Sequence, residues 1–527
     1  MKSMRAARLQ SLPLLACLLL WIIPATAENV QRNPIVNHDI KHAVSLPLRE
    51  IVKFVPPPQF HGWIVRKEHG SLSKRTQIFD LPDPVTQDES QYLPTLPITI
   101  ALNFDGVDGS NAGGVIPPDT NGSVGDSQFV LITNFAYQVF DKTTGKSVLG
   151  PTLINAIWNG FGGQCESDNG GDPIVLWDKL AKRWLVEQLE YFTSDEVCVA
   201  VSTTDDATGS YNLYAFNWST GLPDYPKLSV WPDAYYLAVN NFGSGQGEPC
   251  ALDRTAMLAG KTATIICFTP SNTDAGYLPS DFDGATAPPK GEPNHYVELG
   301  NSNTTLKEYD FHVNFKHTSK STFKGPNTIT VPAYTTLCGG GNGSCIPEPN
   351  GGGLLDALGD RMMFRNAYRN FGDHESMVFS HSVAPGKKST ATAAVRWYEL
   401  RSTSGSAFSL YQSGTFQSKK DNYWMGSIAM DKVGDMAMGF SVDNSTNLDP
   451  SIWVTGRVPS DPLGKMEAPV ILRKGTEVQG SINRWGDYSS MGVDPDDDCT
   501  FWYSQEVTDG GYNWQSHATS FKFTGCS

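Results

Sequence analysis

A six-residue phrase occurs twice in this chain, and weaker forms of it divide most of the remainder. Phe371-Gly372-Asp373-His374-Glu375-Ser376 and Trp485-Gly486-Asp487-Tyr488-Ser489-Ser490 agree as aromatic, Gly, Asp, ring, any residue, Ser. Each follows an Arg/Asn pair, Arg369-Asn370 in one and Asn483-Arg484 in the other. Trp424-Met425-Gly426-Ser427 is a degenerate copy between them. Upstream, similar starts fall at Asp224-Tyr225-Pro226, Gly171-Asp172-Pro173 and Asp119-Thr120-Asn121-Gly122, with a poorer one at Asn294-His295-Tyr296. Every start introduces strands separated by turns, at a spacing of roughly 50–75 residues, and that combination specifies an all-β propeller of radially packed sheets. The starts indicate seven blades; the irregular unit near 295 leaves six open.

The unit from Gly171 is the clearest, with strands at 174–177, 184–189, 197–202 and 211–216. The first unit shows only 129–134, 137–141 and 147–149. A strand from the other end of the chain, 98–102 or 520–523, is expected to complete it and close the ring, which removes exposed edges.

Residues 1–27 carry Lys2, Arg5 and Arg8, an apolar run over 12–23, and Ala25-Thr26-Ala27, the pattern of a secretory signal cleaved before Glu28. The run is shorter than the ~20 residues of a spanning helix; lipid attachment at Cys17 is the alternative. Residues 28–95 are polar and proline-bearing and read as an extended arm on the propeller rim or a cleaved pro-segment, with the propeller over 96–527. Losing three positive charges takes the formal net charge from −15 to −18, which argues against a nucleic-acid backbone or an anionic membrane as partner. The exported chain keeps Cys165, Cys198, Cys250, Cys267, Cys338, Cys345, Cys499 and Cys526. An even count in an exported protein reads as disulfides, and sequence-local pairing gives 165–198, 250–267, 338–345 and 499–526. Without a CxxC, and with the cysteines far from the histidines, zinc is not expected.

If every start precedes the innermost strand of its blade, Asp119, Asp172, Asp224, Asp373, His374, Glu375, Arg484, Asp487 and Tyr488 share one basin on the axis. Asp-Gly starts also suit plain turns and inter-blade hydrogen bonds. The departures from the repeat point to chemistry: Asp373, His374, Glu375, Asp487 and Tyr488 offer acid, base and oxyanion partners. Paired carboxylates suit glycoside hydrolysis. Arg369 and Arg484 would clamp a sugar carboxylate, with Asp172, Asp224, Trp424, Trp485 and Tyr225 lining the substrate. Asp119-x-Asn121-x-Ser123 with Asp126 loosely follows an oxygen-ligand calcium loop; no other cofactor is indicated. The triple glycines at 339–341 and 351–353 read as loop tips, no Gly-x-Ser-x-Gly is present, and Asn217, Asn303, Asn342 and Asn444 head glycan-acceptor triplets.

Val507-Thr508-Asp509-Gly510-Gly511-Tyr512-Asn513-Trp514 resembles the Asp-box of sialidase-type propellers, matching at Asp509, Gly511 and Trp514 with Val507 in place of Ser. The resemblance implies fold, since that box is structural; the family's Arg-Ile-Pro motif is absent. The phrases at 117–122, 171–175, 224–227, 370–375 and 484–490 are similar to a group of exported, largely uncharacterised bacterial propeller proteins, which implies fold and export. The expectation is therefore a secreted (extracellular or periplasmic), monomeric propeller without a transmembrane anchor, acting on a carbohydrate or glycoprotein. A glycoside hydrolase of sialidase-like architecture leads, with a polysaccharide lyase and a non-catalytic binding propeller as rivals.

Overall fold

The computed structural model describes residues 29–67, 69–70, 72, 81–270, 275–340, 343–386, 392–403 and 405–527. The signal at 1–27, Cys17 and Asn342 lie outside them. Among the described residues seven antiparallel sheet units follow one another, begun by Asn121–Val124, Gly171–Asp178, Pro223–Val230, Leu278–Asp283, Met363–Asn370, Asn422–Met430 and Ser490–Val493, and parallel pairing of Leu278–Asp283 with Met363–Asn370 joins the fourth and fifth into one sheet. Each of these first strands packs on the next, and Ser490–Val493 returns to Asn121–Val124. The fold is an all-β propeller, and these sheets are numbered blades 1 to 7 below.

Blade 2 shows why such strands are almost continuously apolar. In Glu196–Ser202 every residue is buried, because both faces of the sheet are covered. Val197, Val199 and Val201 enter the core shared with blade 3, whereas Cys198 and Ala200 enter the core shared with blade 1. Successive side chains point to opposite faces, so one strand serves two cores.

The inner strands begin with a common distortion. Asp119, Asp172, Tyr225 and Met425 adopt left-handed φ values of 48°, 51°, 53° and 50°, and the ladder slips just there in blades 2, 3 and 6. A left-handed non-glycine residue costs on the order of 1 kcal/mol, which hydrogen bonds to neighbouring blades offset.

Ring closure differs from the sequence expectation. Blade 1 has its own four strands, because the short and polar Asn121–Val124 supplies the innermost one. Ile98–Asp108 instead pairs with Trp514–Phe523 as the outermost strand of blade 7, so the two candidate closing segments meet each other.

The N-terminal segment is a belt. Val30–Gln31, Ile35–His38 and Lys41–Val44 add strands to blades 4, 3 and 2, and the helix Leu48–Ile51 enters the core of blades 1 and 2. Ile64–Val65 pairs with Val115–Ile116, and Thr86–Gln87 then extends blade 5. These additions cover outer edges that would otherwise invite pairing with other chains. The cysteines pair locally as Cys165–Cys198, Cys250–Cys267, Cys338–Cys345 and Cys499–Cys526. Among the described residues no helix is long and apolar enough to cross a membrane.

Candidate functional site

Asp119, Asp172, Asp224, Asp487 and Arg484 line one recess at the end of the ring where the inner strands begin. The left-handed starts of blades 1 and 2 and the loop before blade 7 bring them together. Asn134 bridges two of them: its amide donates to Asp119 Oδ2 at 2.6 Å, and its carbonyl oxygen accepts from the Asp172 backbone N–H at 2.8 Å. Asp119 Oδ1 accepts from the Asp487 backbone at 2.7 Å, joining blade 1 to blade 7. Asp172 Oδ2 accepts from the Tyr225 backbone at 3.1 Å, joining blade 2 to blade 3. The repeated aspartates are thus inter-blade ties as well as recess lining. Arg484 pairs with Asp356 and, at 3.0 Å, with Asp487.

The crowding of carboxylates governs their protonation. Burial, then Asp487 and Asp172, push the Asp119 carboxyl well above its usual range. Burial, then Asp224 and Asp487, raise Asp172 to about 7. Beneath them Lys227 lies 3.4 Å from the Tyr225 ring centroid and 4.2 Å from that of Tyr488, and burial lowers its ammonium to about 8. Glu187, buried nearby, is raised well above its usual range by burial and then by Asp172. Asp172 in the recess and Lys227 beneath it are thus shifted towards neutral pH, the range in which acid and base catalysts work.

The belt crosses the mouth of this recess. Arg66 hydrogen-bonds the carbonyl of Asn169 at 2.8 Å and the hydroxyl of Tyr191, and its carbonyl accepts from Arg484 Nε at 3.1 Å. His69 lies 3.4 Å from Asp224.

Several residues expected in the basin lie elsewhere. Phe371–Ser376 does not precede an inner strand; it joins the first strand of blade 5, Met363–Asn370, to the second, Glu375–Val383. It therefore falls at the opposite end of the ring from Asp487. Asp373 is 85% exposed and pairs only with the adjacent His374, which stacks on Phe371. Glu375 is buried beside Glu292 and His295. Arg369 makes a two-pronged ion pair with Asp498 at 2.8 and 2.7 Å and donates to the Met430 carbonyl, tying blades 5, 6 and 7. It shares no ligand with Arg484. Trp424 and Trp485 are fully buried against each other, 5.5 Å apart, and present no face for a sugar ring. Tyr488 is buried at the axis, its hydroxyl donating to the Pro173 carbonyl at 3.1 Å. In the calcium-like loop, Asn121 Oδ1 accepts from the Val175 backbone and Asp126 faces Lys182.

Sequence reading missed Glu187, Lys227, Asp356, Arg66 and His69. Lys227 follows Asp224-Tyr225-Pro226 directly, a signal that was available. Asp356 and the belt residues carry none, because only the fold brings them to the axis.

Neither a protein-family model nor a curated protein matches the chain. Among solved structures it is similar to the N-terminal domain of Nup159, with TM-score 0.35 and 10% identity, covering 84% of this chain and 100% of that one. It is similar to an α-L-arabinanase of Penicillium chrysogenum complexed with arabinobiose, with TM-score 0.33 and 8% identity over 86% and 100%. The WD40 domain of SCAP from fission yeast gives TM-score 0.31 and 10% identity over 75% and 82%.

Proposed function

We propose that the protein is a secreted glycoside hydrolase of extracellular glycans, working at the axial recess. The observation that carries this reading is the recess in which Asp172 faces Asp224 and Asp487, where burial and then these neighbours raise its carboxyl to about 7. Such a group donates a proton to a departing glycosidic oxygen at neutral pH, while a neighbouring carboxyl group, here Asp224, attacks or activates water. Arg484 is committed to Asp356 and Asp487, so selection of an acidic sugar falls to Lys67, which also lines the recess. The leader pattern and the disulfides support export.

A non-catalytic propeller that binds glycan or protein is the second reading, favoured by the inter-blade hydrogen bonds of Asp119 and Asp172. Incubation with acidic and neutral polysaccharides separates the two. The hydrolase produces new reducing ends without unsaturated-uronate absorbance; a lyase produces that absorbance, and binding without either product supports the second reading.

A further inference from the structure

Away from the axis, a groove between blades 4 and 5 holds an unusual group of side chains. His295 is the second residue of the second strand of blade 4, Asn294–Leu299, and Glu308 and Asp310 lie on the third, Thr305–His312, with Asp310 directly opposite His295. Glu292 precedes His295, and Glu375 comes from blade 5. Carboxylates meet both nitrogens of the ring: Nδ1 lies 2.9 Å from Glu308 and 3.1 Å from Asp310, and Nε2 lies 3.1 Å from Glu292. Phe408 packs edge-on against the imidazole at 4.7 Å and fixes its plane.

One atom in this group is unexplained. Glu375 is only 6% exposed, and among the described residues its Oε2 meets no donor in good hydrogen-bonding geometry, although the Tyr368 hydroxyl lies near enough to interact with this carboxylate. A buried carboxylate oxygen without a partner is costly. The ligand atoms of Glu292, His295 and Glu375 all lie within 4.8 Å of one another.

We infer that His295 Nε2, Glu292 and Glu375 bind a divalent cation that joins blades 4 and 5. The opposite ring nitrogen is arranged as a metal-bound histidine requires, with Nδ1–H directed at Glu308 and Asp310 to set tautomer and orientation. One imidazole with two carboxylates suits Zn²⁺ or a similar transition-series ion better than Ca²⁺, which prefers an all-oxygen shell. Three protein ligands leave at least one position for water from the groove. The cation supplies Glu375 with the partner it lacks.

The test is calorimetric titration of chelator-treated full-length protein with Zn²⁺ alone, beside thermal melting. The eight cysteines among the described residues are all paired, so thiols there do not compete for the ion. The expected result is saturable uptake of one equivalent with a higher melting temperature. Glu308→Gln, which loosens the orienting hydrogen bond, should weaken uptake about 10–100-fold, and Glu375→Gln and Glu292→Gln should weaken it at least as much. The inference is overturned by any of three results: no uptake by the folded wild type, uptake unchanged in folded Glu375→Gln and Glu292→Gln proteins, or tighter binding of Ca²⁺ than of Zn²⁺.

Discussion

Trp485–Ser490 and Phe371–Ser376 are spelled almost alike, and they do different work. Around the first, Arg484, Trp485 and Tyr488 are buried, and a Cβ on Gly486 would stand 2.6 Å from a Glu506 oxygen. In that copy glycine is demanded by close packing. Gly372 has φ 91° and open space where its Cβ would be, so there glycine is demanded by the turn. The aspartates divide in the same way. Asp487 pairs with buried Arg484, whereas Asp373 reaches solvent. A short aromatic-Gly-Asp phrase specifies a tight bend at either end of a strand; its neighbours in space decide whether the Asp is a tie, a reactant or merely a turn.

The largest predicted contrast comes from Arg484. Its removal leaves Asp356 and Asp487 buried without their cation, and Arg484→Ala should destabilise the fold by about 3–5 kcal/mol in denaturant melts. Next is Asp119→Ala, which strips acceptors from the Asp487 backbone and Asn134 and should cost about 1–3 kcal/mol. Asp373→Ala should leave the denaturation midpoint where it is, since that side chain touches only its neighbour. A collapse of Asp373→Ala would break the comparison.

A smaller, pH-dependent effect sharpens it. The Asp172 carboxyl ionises at about 7 in the folded protein against 3.8 as its ordinary value. Between those values the folded chain keeps a proton that the unfolded chain has released. The stabilisation is therefore complete below 3.8 and is lost as pH rises towards 7. Asp172→Asn keeps an acceptor for the Tyr225 backbone and removes the titration, so its stability should depend less on pH across that window. An unchanged slope in the variant would place the proton elsewhere.

These residues also show what the sequence carried and what it concealed. Blade 2 was legible because its strands are mainly apolar and bounded by turns, and the cysteine pairing was legible because it is local. The convergence of Asp119, Asp172, Asp224, Asp487, Arg484 and Tyr488 followed from the position of their phrases before inner strands. Blade 5 was misplaced by one strand. Its inner strand, Met363-Phe364-Arg365-Asn366-Ala367-Tyr368-Arg369-Asn370, places buried arginines among its apolar residues, with Arg365 paired to Asp281 and Asp283 of blade 4. It therefore lacks the apolar run that marks the inner strand of blade 2. Ion pairs that satisfy such arginines come from distant parts of the chain and leave no local pattern.

The most direct test of the axial recess as the reactive site compares turnover of a responsive polysaccharide by Asp172→Asn and Asp373→Asn at matched folded fraction. The account predicts a loss of about 10²–10⁴-fold in rate for Asp172→Asn and wild-type turnover for Asp373→Asn. Full activity in folded Asp172→Asn, or loss confined to Asp373→Asn, would contradict it.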